Sequence, residues 1–352
     1  MQKLQDTLDS IKPLDKASME GAQRRLDSLT KPLGSLGRLE SIARQVAGIM
    51  ADPVPQIRGK VIVLMAGDHG VVEEGITAYP QEVTVQMVAN FLNGGAAINV
   101  LARQVGAGIA LVDIGVNGDV PRGPGLRSLK VSRGTRNFLK GPAMTREEAV
   151  KALETGITVA CEEIEAGADL IATGDMGIGN TTASSALLAA FSNCPPEQVV
   201  GRGTGIDDEG LKRKVEVVAR ALGIHRPNPS DPLGTLANLG GLEIAGLAGV
   251  ILGAASRRRP VVVDGFISGA AALAACAIKP RVRDYLIPSH LSAESGHKAM
   301  MAALGLEPVI VLDMRLGEGT GAALAMFLVE SSLRLMREMA TFEGAGVSTA
   351  LE

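Results

Sequence analysis

Residues 169–182 read DLIATGDMGIGNTT and carry the clearest indication of how this chain folds. The first part, residues 169–173, is a short apolar run typical of a buried strand. Residues 174–182 are rich in glycine and polar side chains, and a helical pattern follows from Thr182 to Phe191. A strand, a glycine-rich turn and a helix in this order form the unit from which parallel sheets are built.

Short apolar runs of the same kind recur along the chain and alternate with helical patterns. Besides 169–173, they predict strands at residues 60–66, 108–114, 260–263, 285–287 and 308–314. Helix starts lie between them: Thr145 and Glu148 have the spacing of a capping box, and Asp231 precedes Pro232 as an N-cap. This alternation predicts a mostly parallel sheet with helices on both faces.

Both ends of the chain have helical patterns. Helices are predicted at residues 18–29, from about Ser35 onward, and from Gly319 to about Met339. We expect these terminal helices to pack together. The predicted organisation is a small helical domain (residues 1–50 plus about 325–352) beside a large α/β domain (residues 51–324) that carries the phosphate and base pockets.

The composition excludes several classes of protein. The 352 residues carry a net charge of −3, and 2% of them are aromatic with no Trp, which disfavours nucleic-acid binding by charge or by base stacking. The longest uncharged apolar stretches, residues 244–255 and 265–278, are too short to span a bilayer. The N-terminus lacks the apolar segment of a secretory signal. We expect a cytoplasmic protein with no nucleic-acid partner and no membrane span.

The cysteines and histidines form no metal-binding pattern. The three cysteines are far apart without a CxxC motif, and the four histidines match no zinc-site spacing. The sequence therefore predicts free thiols in a reducing compartment and no metal site.

Glycine and polar residues follow each of the six predicted strands. These loops are residues 67–70, 113–116, 174–182, 264–266, 288–292 and 315–321. The carboxyl ends of parallel strands share one edge of a sheet, so we expect the loops to meet there and form a site. Glycine and aspartate also serve simply as turn residues, but six such loops favour a shared site.

The loop at residues 174–182 predicts an anion site. Glycines let the backbone approach a ligand, and the first amides of the following helix lack intrahelical partners. Asn180 occupies the lysine position of the GxxxxGK[ST] pattern, and the third glycine of a dinucleotide fingerprint is missing. A single phosphate is the ligand that remains, and a glycine-rich turn without a ligand is the alternative.

Three other features are ambiguous from the residues alone. The GRGTG cluster at residues 201–205 is either a second wall of the phosphate pocket or a flexible loop. Lys214 ends a run of three basic residues, which is usually a solvated helix face. Glu318 lies between two glycines, where its carboxylate either reaches into a pocket or complements the N-terminus of the next helix.

At these residues the chain resembles the nicotinate-nucleotide–dimethylbenzimidazole phosphoribosyltransferase family. The matching stretches span nearly the whole chain in one order. They are residues 31–40, 68–70, 174–182, 263–266, 286–290 and 314–321. The last stretch begins the sequence MRLGEGTGAALAM, which is highly specific to that family.

The resemblance implies a reaction. The enzymes of this family transfer 5-phosphoribose from nicotinate mononucleotide to 5,6-dimethylbenzimidazole, in the assembly of the cobalamin nucleotide loop. The products are α-ribazole 5′-phosphate and nicotinate, with inversion at the anomeric carbon. The resemblance also implies a homodimer, no metal or other cofactor, and a mostly parallel Rossmann-like α/β sheet flanked by helices.

The resemblance assigns Glu318 the role of general base. In the base pocket, Tyr79 would stack on the benzimidazole and Gln86 would hydrogen-bond a ring nitrogen, and Lys214 would pair with the nicotinate carboxylate. Asp175 stands where the family more often has Glu. The other substrate-binding residues implied are Met176, Gly177, Ile178, Gly179, Asn180, Thr181, Gly203, Ser292, Leu316 and Gly317.

Alternative interpretations stay open for two of these residues and for the function. Tyr79 could simply pack before a helix that begins near Gln81, and Ser292 could be the N-cap of a helix predicted at residues 293–304. The same residues would also suit an enzyme that cleaves nucleosides or uses another acceptor. A non-catalytic sensor of mononucleotides is the third possibility.

Overall fold

The computed structural model describes residues 1–121 and 123–348. At its centre is a six-stranded sheet in which every pair of neighbouring strands is parallel. The strands are β1 (Lys60–Gly67), β2 (Gly108–Gly115), β3 (Leu126–Ser128), β4 (Leu170–Met176), β5 (Val261–Val263) and β6 (Leu286–Pro288). Their order is β3-β2-β1-β4-β5-β6. The chain therefore builds outward from β1 and then from β4, and the switch point lies between these two strands.

Helices cover both faces of the sheet. They are α1 (Gln2–Ser10), α2 (Lys16–Asp27), α3 (Arg38–Met50), α4 (Glu82–Leu92), α5 (Ala97–Val105), α6 (Arg146–Glu165), α7 (Asn180–Ser192), α8 (Pro196–Val199), α9 (Asp208–His225), α10 (Pro232–Leu239), α11 (Leu242–Ser256), α12 (Phe266–Ile278), α13 (His297–Leu304), α14 (Thr320–Glu338) and α15 (Phe342–Ala345). Two 3₁₀ helices span Gly70–Glu74 and Pro280–Tyr285. The helices α6, α7, α11 and α12 lie on one side, and α3, α4, α5 and α14 lie on the other.

The sequence of β1 shows why the sheet is buried on both sides. Its side chains alternate between the two faces, as strand geometry requires. Val63 and Met65 join the core beneath α11, whereas Ile62 and Leu64 join the core beneath α14. A continuous apolar run is therefore what a central parallel strand needs.

The register of the central strands defines the position of the site. β1 pairs with β4 from Lys60 opposite Leu170 to Ala66 opposite Met176. The two strands consequently end at the same level, and the loops that follow them meet at the switch point.

Five of the six predicted strands are confirmed in the main sheet, and the sixth is shorter than predicted and lies outside that sheet. Within residues 308–314 only Ile310–Val311 (β8) is a strand, and it pairs with His290–Leu291 (β7) in a separate two-stranded sheet. Val311 and Leu312 are exposed, so this apolar run does not enter the core. The sixth strand of the main sheet is β3, whose three residues are too short to give a periodic signal.

The terminal helices contact one another and the sheet. Arg25 on α2 donates hydrogen bonds to the carbonyls of Met336 and Met339 at the end of α14, and α14 also packs against α3. α1 lies apart from them, against α6 and α11. The side chains of α2, α3 and α14 share one core with Ile62 and Leu64 of the sheet. The division into two domains stays a prediction.

Residues 82–105 are apolar enough, by length and composition, to cross a membrane. In the structure this segment is two helices, α4 with 11 residues and α5 with 9, separated by a turn at Gly94 and Gly95. Each helix is shorter than a bilayer requires.

Candidate active site

A pocket lies at the carboxyl edge of the sheet, beside the switch point. Its cavity is about 100 Å³, and a second cavity of about 330 Å³ adjoins it through Gly203, Glu294 and Arg315. Predicted site residues line the first cavity. They are Asp175, Met176, Gly177, Ile178, Asn180, Thr181, Gly203, Ser292, Leu316 and Gly317. A cavity of about 450 Å³ beside Cys276 contains none of the predicted site residues.

The glycine-rich loop connects β4 to α7 and has little freedom to move. A Cβ on Gly177 would lie 2.0 Å from the carbonyl oxygen of Gly67, so only glycine fits against the end of β1. Gly179 has a φ of +97°, which glycine adopts without strain. Asn180 donates from Nδ2 to Oδ2 of Asp175 at 3.0 Å. The N-terminus of α7 is thereby fixed at the pocket, where the helix dipole favours an anion.

Lys214 reaches the same loop from α9. Its side chain is buried, and Nζ donates to Oγ1 of Thr181 at 2.7 Å. Neighbouring Lys212 and Arg213 are exposed, so the solvated-face interpretation holds for them but not for Lys214. Burial lowers the pKa of Lys214 to about 8, although Glu294 opposes this shift. The structure places the ammonium group at the glycine-rich loop, residues 174–182.

The segment around Gly203 forms a second wall. A Cβ on Gly203 would lie 2.9 Å from Oγ1 of Thr181 and 3.2 Å from Nζ of Lys214. Arg315 donates to the carbonyl of Gly203 at 3.1 Å. The GRGTG cluster (residues 201–205) therefore packs against the glycine-rich loop (residues 174–182).

Asp175 lies near three other buried carboxylates at this edge of the sheet: Glu243, Asp264 and Glu318. The pKa of Asp175 is raised well above its usual value, first by burial and then by the charges of the other three. Among the residues that the structure describes, Oδ1 of Asp175 and Oε2 of Glu318 are buried without a hydrogen-bond partner. Burial and the neighbouring negative charges therefore make the ionised form of Asp175 costly.

Glu318 has a backbone conformation that is uncommon for a residue other than glycine. Its φ is +64°, in the left-handed region, between Gly317 and Gly319 at +80° and +90°. Non-glycine residues pay a strain energy there. Burial raises the pKa of its carboxyl group, and the backbone N–H of Ile98, at the start of α5, partly opposes the shift.

The N-terminus of α14 is satisfied by a different carboxylate. Asp264 accepts from the backbone N–H of Gly319 at 3.2 Å and from that of Ala322 at 2.8 Å. The interpretation that Glu318 only complements its own helix is therefore wrong. Burial raises the pKa of Asp264 to about 7, and these backbone donors limit the rise.

The loop after β1 is linked by hydrogen bonds to the glycine-rich loop at residues 174–182. Asp68 accepts a 2.6 Å hydrogen bond from Oγ1 of Thr84 on α4, and the same hydroxyl accepts from the N–H of Ile178 at 3.2 Å. Beside them, Nε2 of His69 lies 2.6 Å from Oε1 of Glu243, with both side chains buried. Burial alone would lower the pKa of His69, but Glu243 and Asp68 raise it overall.

The opposite wall contains Ser292. Its backbone N–H donates to Nδ1 of His297 at 2.8 Å, and its Oγ accepts from the N–H of Glu294 at 3.3 Å. α13 begins only at His297, with Gly296 as the N-cap. The alternative that Ser292 caps this helix is therefore wrong.

Sequence reasoning missed several lining residues. They are Thr204, Gly265, Phe266, Ile267, His290, Glu294 and Arg315. The sequence does predict that the loops at residues 264–266, 288–292 and 315–321 reach this edge. The signal for His290 and Arg315 is thus a polar side chain within a loop of the expected site.

Five predicted site residues do not line this cavity: Tyr79, Gln86, Gly179, Lys214 and Glu318. Tyr79 precedes α4 and is 50% exposed, so it is not a core residue, and Gln86 is exposed on α4.

Among residues 1–121 and 123–348, no cluster of three or more His, Cys, Asp or Glu side chains could hold a metal ion.

This strand order, with a glycine-rich loop and a buried lysine at the switch point, is typical of α/β enzymes that bind phosphorylated substrates. A family model described as phosphoribosyltransferase matches residues 11–347. The chain belongs to this phosphoribosyltransferase family.

Individual relatives are similar over their full length. The nicotinate-nucleotide–dimethylbenzimidazole phosphoribosyltransferase of Geobacter sulfurreducens is 56% identical over 345 residues, which cover 98% of each chain. The enzyme of the same name from Chloroflexus aggregans is 55% identical over 352 residues, all of both chains. The crystal structure of CobT from Thermus thermophilus has a TM-score of 0.92 at 49% identity, covering 95% of this chain and 100% of that one.

Proposed function

We propose that this protein transfers 5-phosphoribose from nicotinate mononucleotide to 5,6-dimethylbenzimidazole, giving α-ribazole 5′-phosphate and nicotinate. The observation that carries the proposal is a strained, buried carboxylate, Glu318, beside a pocket that ends in a phosphate-type loop. The names of the full-length relatives supply the two substrates.

The phosphate of the donor would bind at the N-terminus of α7. The donors for it are the ammonium group of Lys214 and the backbone N–H groups of Gly177, Gly179 and Thr181. The N–H groups of Ile178 and Asn180 already donate to Oγ1 of Thr84 and to the carbonyl oxygen of Gly177. Lys214 contacts Thr181, which favours a role at the phosphate rather than at the nicotinate carboxylate. The ribose would then extend along the pocket toward Asp175 and Gly317, which lie against each other.

Glu318 would act as the general base. It removes the ring proton of dimethylbenzimidazole while the other ring nitrogen attacks the anomeric carbon. The bond from that carbon to nicotinate breaks, and its electron pair goes to the nicotinate ring nitrogen. Attack opposite the leaving group inverts the carbon from β to α. A pKa raised by burial makes the carboxylate a stronger base, because its proton affinity increases.

The second role of the acids is electrostatic. The anomeric carbon gains positive charge as nicotinate leaves, and an ionised carboxylate nearby stabilises it. Glu318 is the candidate for this role, because the strongly raised pKa of Asp175 favours its neutral form. Alignment of both rings across the sugar contributes further to the rate.

The acceptor would bind on the side of α4. Tyr79 and Gln86 lie there, exposed, and would stack on the benzimidazole and hydrogen-bond its ring nitrogen. Glu318 adjoins the start of α5, which follows α4 in the chain, so its carboxylate lies toward this side.

The homodimer and the cytoplasmic location also belong to this proposal. Val100 on α5 and Phe327 on α14 are 53% and 61% exposed on helices that pack together, which supports an apolar interface there. Light scattering of wild type and Phe327→Asp tests it, because a charge in the interface should give monomers.

The test of the reaction is a pair of incubations with nicotinate mononucleotide, with and without dimethylbenzimidazole. Release of nicotinate only when the acceptor is present, with formation of α-ribazole 5′-phosphate, supports the proposal. Release without an acceptor indicates a nucleotide-cleaving enzyme instead, and binding without release indicates a sensor.

A further inference from the structure

The pocket wall contains a histidine, His290, that the mechanism above does not use. It is the first residue of β7 and lines the pocket, and only 1% of its surface is exposed. Its ring lies between two glycines. A Cβ on Gly321 would lie 1.9 Å from Nδ1, and a Cβ on Gly265 would lie 3.3 Å from Cε1. The backbone therefore makes room for an imidazole at this place.

The hydrogen bonds of the ring determine which nitrogen carries the proton. Oγ of Ser289 lies 2.8 Å from the carbonyl oxygen of Asp264, which can only accept, so the hydroxyl proton is used there. Nδ1 of His290 lies 3.0 Å from the same Oγ. With the hydroxyl proton directed to Asp264, we assign the ring hydrogen to Nδ1, which then donates to Oγ. In a neutral imidazole, Nε2 is then a bare acceptor.

The neutral form is the one that burial favours. Burial lowers the pKa of His290, and no carboxylate is bonded to its ring to oppose the shift. The neighbouring His297 is also neutral, since burial lowers its pKa to about 4 and His290 contributes. Its Nδ1 accepts from Ser292, and its Nε2 is enclosed in the protein. Nε2 of His290 differs: within the described chain it has no protein partner, and it is not an enclosed atom.

An acceptor at this position needs a donor on the ligand. The phosphate and the carboxylate of nicotinate mononucleotide are ionised at neutral pH and only accept, and its pyridinium ring has no N–H. The hydroxyls of the ribose are the only donors that this nucleotide offers. His290 lines the same cavity as Gly177, Ile178, Asn180 and Thr181, so a ribose whose phosphate binds at that loop would lie within its reach.

We propose that Nε2 of His290 accepts a hydrogen bond from a ribose hydroxyl of the phosphoribosyl donor, so that His290 selects ribose over deoxyribose. The inference rests on the proposed function and deepens it by naming a residue that determines substrate specificity. Ser289 and the carbonyl of Asp264 are positioning groups, because they fix the tautomer through Nδ1.

Calorimetric binding of nicotinate mononucleotide and of its 2′-deoxy and 3′-deoxy analogues tests the proposal. Wild type should bind the complete nucleotide about tenfold more tightly than one of the two analogues, the usual effect of one lost hydrogen bond in a buried site. His290→Asn places its amide near Nδ1 only and should lose this preference. His290→Gln places a carbonyl oxygen near Nε2 and should keep part of it.

A histidine outside the pocket provides the control. His225 on α9 bonds the carbonyl of Phe138, and His225→Asn should keep the full preference of wild type. The proposal is overturned if His290→Asn prefers the ribonucleotide as strongly as wild type does, or if wild type binds all three nucleotides equally. These are binding measurements, so they do not depend on transfer. Failure of the proposed function shows instead as tight nucleotide binding without transfer to dimethylbenzimidazole.

Discussion

Nζ of Lys214 lies 2.7 Å from Oγ1 of Thr181, inside the protein and at the N-terminus of α7. Burial lowers the pKa of Lys214 from 10.5 to about 8. At pH 7 the side chain is charged in both the folded and the unfolded protein, so the cost of burying the charge is fully present there. The cost decreases as the pH rises from 8 to 10.5, because the folded form releases its proton first. A buried charge that destabilises the fold is expected at a site for an anion.

We expect Lys214→Met to stabilise the protein while weakening nucleotide binding. The free energy of unfolding at pH 7 should rise by about 2–3 kcal/mol. This is the free energy that corresponds to the pKa shift, minus the contribution of the lost hydrogen bond. The affinity for nicotinate mononucleotide should fall at least about tenfold. Urea unfolding and calorimetry measure the two effects. Lys212→Met, at the exposed neighbouring position, should change neither, and equal effects of both variants would contradict the assignment.

Glu318→Gln should retain nicotinate mononucleotide binding and lose turnover. Glutamine has a similar shape but cannot accept the proton, so kcat should fall by about 10²–10⁴-fold. In wild type, kcat/KM should decline as the pH falls through the raised pKa of Glu318, because the base must be ionised. A variant with normal turnover would make Asp175 the next candidate for the base.

Gly174 on β4 allows the Glu318 turn to approach the sheet. A Cβ at Gly174 would lie 2.6 Å from the carbonyl oxygen of Glu318, a contact with backbone that cannot relax easily. Gly174→Ala should displace Glu318 and lower kcat by about 10–100-fold, because small displacements of a catalytic group are costly. Steady-state kinetics measure the loss.

The matched control for this substitution is Gly223→Ala in α9. A Cβ at Gly223 meets no atom within 4 Å. Alanine there should leave kcat unchanged and raise stability by about 0.5–1 kcal/mol, since it favours the helix. A fall in kcat with Gly223→Ala, or none with Gly174→Ala, would count against the argument.

The central strands were predictable from the sequence. They are buried on both faces of the sheet, so each needs a continuous run of apolar residues, as in β1 and β4. The sequence did not predict β3, whose three residues are ordered by pairing with β2 rather than by their own pattern. It also could not show that Lys214 is buried, because the charge run Lys212–Lys214 has the same appearance on either face of α9. Only the packing of α9 against α7 distinguishes its members.

The site shows the same division between local and tertiary information. The loop at residues 174–182 was recognisable because glycine is required wherever backbone meets backbone, as at Gly177 against Gly67. The bond from Asp264 to the start of α14 joins residues 58 positions apart, and no local pattern contains it. Nor does any local pattern show that Asp264, and not Glu318, hydrogen-bonds the start of α14.

Thr84 connects α4 to the phosphate loop, and its hydroxyl should matter for both substrates. Thr84→Val leaves Asp68 Oδ1 and the N–H of Ile178 without this partner, which should cost about 1–3 kcal/mol of stability. Because Ile178 lies in the phosphate loop and Gln86 on α4, KM should rise for both substrates. Thr84→Ser should restore both values. Thr7→Val in α1, where the hydroxyl bonds only the carbonyl of Lys3, should leave both KM values unchanged.

Asp264 should make the protein less stable as the pH rises. Its pKa is raised from 3.8 to about 7, so the folded state binds a proton that the unfolded state has already released. This contribution is fully present below pH 3.8 and is lost as the pH rises through 7. Between pH 5.5 and 8, wild type should lose about 2 kcal/mol relative to Asp264→Asn, which has no proton to release. Urea unfolding at several pH values measures the difference. A difference that stays constant across this range would mean that Asp264 remains ionised in the folded protein, held by the N–H groups of Gly319 and Ala322.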